Sequence, residues 1–185
     1  FISVATVWNT DYHIGVVTTD MDQGLGRLVE ANGQRFISPK TSNPTSTFQS
    51  MVKVGTSGSA DEQGLAASQQ ALSPPNSLDF DTPCVADQDC APYSCVADDE
   101  GIKKCGGHNR GFLRKNSGLE VVYVSDEEDS SPADLAFYVN FLYSIKGSNN
   151  KSLFHAHAIV APSGASGGGG PGGSGCDATG GNRYR

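Results

Sequence analysis

An apolar run of Leu119, Val121, Val122, Tyr123 and Val124 is interrupted only by Glu120. A run so rich in β-branched and aromatic residues predicts a strand buried on both faces, as in parallel sheets. It ends abruptly in Ser125, Asp126, Glu127, Glu128 and Asp129, after which Ser130 or Ser131 can cap a helix with Pro132 in its first turn. Leu135, Phe137, Tyr138, Phe141, Leu142 and Ile145 then give a broad helical stripe, and Gly147 ends it. Residues 153–161 (LFHAHAIVA) predict the next buried strand.

Upstream, residues 1–8 fit a helix end as well as a strand, and residues 12–18 predict a strand. Residues 27–30 and 35–38 flank Asn32–Gly33, a strong hairpin signal. A short helix is expected from Thr45, Ser46 or Thr47 through Val54, and a second from Asp61 and Glu62 to about Leu72, where Pro74 and Pro75 stop it. Residues 164–175 hold eight glycines and read as a low-complexity loop; no Lys-Ser/Thr pair closes it as a phosphate-binding loop would require. Strands alternating with helices predict an α/β domain: three layers, a mainly parallel sheet with helices on both faces, and one antiparallel edge strand from the hairpin.

Composition changes the picture in one segment. Residues 76–108 hold Cys84, Cys90, Cys95 and Cys105, seven acidic residues between Asp79 and Glu100, and few apolar positions. Such a segment cannot build a core and must be stapled. The spacings C-x5-C, C-x4-C and C-x9-C lack the C-x2-C pairing of structural zinc, so two disulfides are expected, in any of three pairings. That reads as an insertion in a loop, and as a protein of an oxidising compartment. Cys176 is left over. A net charge of -7 argues against nucleic acid as partner, and no apolar run reaches the roughly 20 residues of a membrane-spanning helix.

Four pieces carry a resemblance: DYHIGVVTTDM (11–21), VGTSGSADEQGLAASQQAL (54–72), GLEVVYVSDEEDSSP (118–132) and FHAHAIVAP (154–162). In order and spacing the chain resembles a von Willebrand factor type A domain of the bacterial cell-surface and lipoprotein kind. The resemblance implies a single Rossmann-like domain over residues 1–185, with the cysteine segment inserted in it. It also implies a fragment lacking the first strand and the C-terminal end, and with them the Asp-x-Ser-x-Ser motif of the family's metal-ion-dependent adhesion site. A lipid anchor would belong to a missing N-terminus. By the same resemblance Asp126 matches the third metal-binding loop, and Ser59, or alternatively Thr56, supplies the hydroxyl of the second. Glu127, Asp129 and Ser57 would line the ligand edge. The implied cofactor is Mg²⁺ (or Mn²⁺ or Ca²⁺), weakly held, with a protein ligand completing its coordination shell.

Plainer readings stand beside these. Asp126 suits a strand-end turn, Ser59 and Thr56 suit helix caps, and neighbouring acids suit a solvated rim. His155 and His157, two apart on a strand, face one side and form a potential zinc pair without an evident third ligand; packing under a helix is the simpler expectation. The function expected is non-enzymatic adhesion or scaffolding outside the cytoplasm. The alternatives are a metal-assisted hydrolase using Asp126, Glu127, Asp129 and His157, and a purely structural domain with an incomplete metal site.

Overall fold

The structure is a computed structural model describing residues 2–55, 57–147, 149–160 and 182–184. It divides into two compact units. The first comprises Phe1–Thr18, Gly24–Ser57 and Gln70–Arg114; the second comprises Thr19–Gln23, Gly58–Gln69 and Lys115–Arg185.

In the first unit, α1 (Ile2–Val7) and α2 (Pro44–Met51) pack around Ile2, Tyr12, Ile37 and Met51, with Ile14, Val16, Val29 and Phe48 partly buried against them. The strand expected over 12–18 is present only as single bridges, Ile14 with Ile37 and Val17 with Leu28. The reason is local: the segment meets two different partner stretches, one on each side of the 31–34 turn, so no continuous ladder forms. The turn itself follows the residues. Asn32 (φ 53°) and Gly33 (φ 72°) both occupy the left-handed region, the requirement of the tight hairpin turn that Asn-Gly favours.

The cysteine segment forms an antiparallel sheet in the order β1 (Asp79–Pro83), β3 (Lys103–Gly106), β2 (Ser94–Ala97). Disulfides join Cys84 to Cys95 and Cys90 to Cys105. Cys95 and Cys105 lie opposite each other in register, so the two bridges leave the sheet from adjacent positions on neighbouring strands. Apart from Cys90, Val96 and Cys105 the segment buries little hydrocarbon. The buried Arg110 fixes it from below: its Nε donates to Asp79 Oδ1 at 2.5 Å and its Nη1 to the Val96 carbonyl at 2.8 Å.

The second unit contains one β-α-β element. β4 (Leu119–Val124) and β5 (Phe154–Ile159) are parallel and in unbroken register from Leu119–Phe154 to Val124–Ile159, and α4 (Leu135–Ser144) connects them. The core is Leu65, Ala66, Tyr123 and Tyr138, with Met21, Val121, Ala133 and Tyr184 against it. α3 (Gly64–Leu72) begins in this unit, and its last three residues fall in the first.

This architecture corrects the expected fold class. Among the described residues, five strands make a three-stranded antiparallel sheet and a two-stranded parallel one, not a three-layer, mainly parallel Rossmann-like sheet. The apolar run of β4 was the misleading signal. Leu119 and Tyr123 are buried, whereas Val122 is 53% exposed and Val124 67% exposed. Alternate positions of β4 therefore face opposite ways, and only one face is covered. An acid at position 122 meets water, so Val122→Asp is expected to fold and to cost about 1 kcal/mol or less, mostly lost strand propensity. Urea unfolding of the variant checks this; loss of cooperative folding would contradict the one-sided sheet.

Candidate functional site

Three loops of the second unit converge on the amino end of α3. The first is 19–23, the second 58–63, and the third is the acidic loop leaving the carboxyl end of β4. Helix starts leave backbone N–H groups without intrahelical partners, and here the partners come from the acidic loop. Asp129 Oδ1 accepts from the Leu65 N–H at 3.1 Å, and Ser131 Oγ accepts from the Ala66 N–H at 2.9 Å. The Gln63 N–H donates to the Thr19 carbonyl at 3.0 Å, and the Thr19 hydroxyl donates to the Glu62 carboxylate. The Ser130 N–H returns to the Glu62 carbonyl at 2.7 Å. A Cβ on Gly58 would lie 2.9 Å from Asp20 Oδ2, so the first two loops also approach closely there.

Asp129 is the centre of this arrangement. Its side chain is fully buried and takes an ion pair from Arg183 at 3.0 Å. It also accepts from the Ser131 hydroxyl at 2.8 Å, the Ser131 N–H at 3.2 Å and the Tyr184 hydroxyl at 3.1 Å. Burial, and then the Asp129 charge, push the Tyr184 phenol well above its ordinary pKa, so it stays protonated and donates. Arg183 further donates to the Ser131 carbonyl at 2.5 Å and to the Ala133 carbonyl. Glu128 accepts from the N–H groups of Asn182 and Arg183, both at 2.8 Å. Partial desolvation raises the Glu128 pKa, but these backbone hydrogen bonds outweigh it and leave the carboxyl below its ordinary range.

The acidic stretch is thus divided. Asp129 faces inward and caps a helix, Glu128 holds the 182–184 turn, and only Asp126 and Glu127 are exposed. The Ser125 hydroxyl accepts from the Glu127 N–H at 3.1 Å, a tight turn that presents Asp126 at its tip. Ser59 is half-buried and its Oγ accepts from the Asp61 N–H at 3.1 Å, as a turn residue does. Ser57 is exposed and belongs to the first unit. Thr56 lies outside the described residues, as do Cys176 and residues 164–175.

The exposed donors are carboxylate and hydroxyl oxygens, a set that suits a hard cation such as Mg²⁺. Among the described residues, the only three Cys, His, Asp or Glu side chains with donor atoms within 4.8 Å of one another are Cys84, Cys90 and Cys105. Their sulfurs are committed to disulfides.

The two strand histidines do not pack under a helix. Both are exposed on the open face of β4–β5, hydrogen-bonded to Glu120. The sequence carried a signal for this: Glu120, the one polar residue in the apolar run, shares a strand face with Val122 and Val124.

No helix among the described residues is long and apolar enough to cross a membrane. The chain matches no protein-family model, and neither a curated protein nor a solved structure is significantly similar to it.

Proposed function

We propose that this chain is a non-enzymatic binding domain that works in an oxidising, extracytoplasmic compartment. It engages a protein partner through the edge formed by the 19–23, 58–63 and 125–128 loops, with a divalent cation held weakly at Asp126 and Ser59. The observation that carries the reading is the capping of α3 by Asp129 and Ser131, which ties the acidic loop to the helix start that the Ser59 loop leads into. A rigid support under exposed, uncompensated carboxylates suits recognition, where a cation and a partner's carboxylate complete each other's coordination. The two disulfides support the compartment. The hydrolytic alternative loses two of its groups to other tasks: Asp129 caps the helix inside the protein, and His157 is bound to Glu120.

Calorimetric titration with Mg²⁺ and Mn²⁺ tests the reading. One exposed carboxylate and one hydroxyl should bind with a Kd on the order of millimolar. Asp126→Ala should abolish the Mg²⁺ signal without shifting the unfolding midpoint, because Asp126 is exposed. Equal binding by the two proteins, or none by either, would overturn the cation's place in the proposal.

A further inference from the structure

We propose a second metal site, distinct in chemistry from the acidic edge: Glu120, His155 and His157 bind a divalent transition ion such as Zn²⁺ on the open face of the β4–β5 sheet. Register and alternation bring the three together. Glu120 lies directly opposite His155 in the parallel ladder, and His157 is the next residue on the same face. Strands lie about 4.8 Å apart and same-face neighbours about 6.6 Å apart along a strand, within reach of imidazole and carboxylate side chains. The carboxylate already engages both rings. His155 Nδ1 lies 2.7 Å from Glu120 Oε1, and His157 Nε2 lies 2.8 Å from Oε2.

Two imidazoles and one carboxylate form the donor set of three-ligand zinc sites that keep an open fourth position. Nitrogen donors favour Zn²⁺, Ni²⁺ or Cu²⁺ over Mg²⁺ or Ca²⁺. In the arrangement described the three donors do not close around one point. Binding therefore exchanges the two hydrogen bonds for metal bonds, as the rings turn from the two oxygens onto a shared ion. The side chains of Glu120, His155 and His157 are 54%, 57% and 59% exposed, so this rotation displaces water and no packed neighbour. The remaining histidines are occupied: His13 Nδ1 with the Phe112 carbonyl at 3.0 Å and His108 Nε2 with the Leu28 carbonyl at 2.9 Å.

The test is titration of the intact chain with Zn²⁺, by calorimetry and by NMR of the histidine rings, for wild type, His155→Ala, His157→Ala and Glu120→Gln. Wild type should bind one Zn²⁺ with ring shifts at His155 and His157. Losing a neighbour that only orients a ligand costs roughly 10- to 100-fold in affinity, so loss of a ligand itself should cost at least about tenfold. All three positions are exposed, so unfolding midpoints should not move and the losses are not folding defects. Unchanged affinity in the His157→Ala and Glu120→Gln variants, ring shifts confined to His13 and His108, or no zinc binding by wild type would each overturn the proposal. Asp126→Ala should leave zinc binding intact, so the outcome here and that of the Mg²⁺ titration are independent.

Discussion

Asp129→Asn should destabilise the second unit by about 3 kcal/mol or more. The substitution keeps the shape of the side chain but leaves Arg183 without its buried counter-charge, and removing one partner of a buried ion pair typically costs about 3–5 kcal/mol. It also turns an acceptor toward an amide that can itself donate, in a site already crowded with donors from Leu65, Ser131 and Tyr184. Loss of a helix cap alone is worth about 1 kcal/mol. The whole stability of a domain is about 5–15 kcal/mol, so the change is large. The lone tryptophan, Trp8, lies in the first unit, so near-ultraviolet circular dichroism of the tyrosines is the better probe, together with hydrogen exchange. The Leu65 and Ala66 amides should lose protection first, because Asp129 and Ser131 cap them. A variant that unfolds within 1 kcal/mol of wild type, with those amides still protected, would show that the network is dispensable.

Reduction of the disulfides should melt the β1–β3–β2 sheet. The bridges span 11 and 15 residues, and closing a loop of about 15 residues restricts the unfolded chain by roughly 3 kcal/mol. The segment buries too little hydrocarbon to make up that loss. Non-reducing peptide mapping should recover Cys84 with Cys95 and Cys90 with Cys105. After reduction and alkylation the amides of Val96 and Lys104, paired in register across β2 and β3, should exchange freely. Protection that survives complete reduction would mean that the Arg110 contacts suffice without the bridges.

What the residues made legible, and what they did not, follows from the range of each interaction. Local signals placed several elements: Asn32–Gly33 at a turn, Gly147 after α4, β4 and β5 within a residue or two, and two disulfides where cysteines replaced apolar residues, though not the sheet they staple. Partner choice was not local. An apolar run such as 119–124 is compatible with one covered face or two, and only the number of neighbouring strands and layers decides. The three-layer expectation rested on strands alternating with helices, this run among them, and Glu120 was the residue that spoke against a strand covered on both faces. The acidic loop posed the same difficulty. Four consecutive acids look alike in sequence, yet Asp129 is separated from its partners by 64 residues at Leu65 and 54 at Arg183, so nothing beside it announces that it is buried. The histidine pair was visible from its spacing, but its third member lay 35 residues upstream on the neighbouring strand.

The proposal that the acidic edge is a cation-assisted binding surface is tested most directly by Mn²⁺ line broadening in amide NMR spectra of the intact chain. A paramagnetic ion broadens only nearby resonances, so it reports position as well as binding. At low Mn²⁺ the account predicts broadening at Ser59, Ala60, Ser125, Asp126 and Glu127, reversed by excess Mg²⁺ and absent in Asp126→Ala. Broadening that spares these residues, or that persists unchanged in Asp126→Ala, would contradict it.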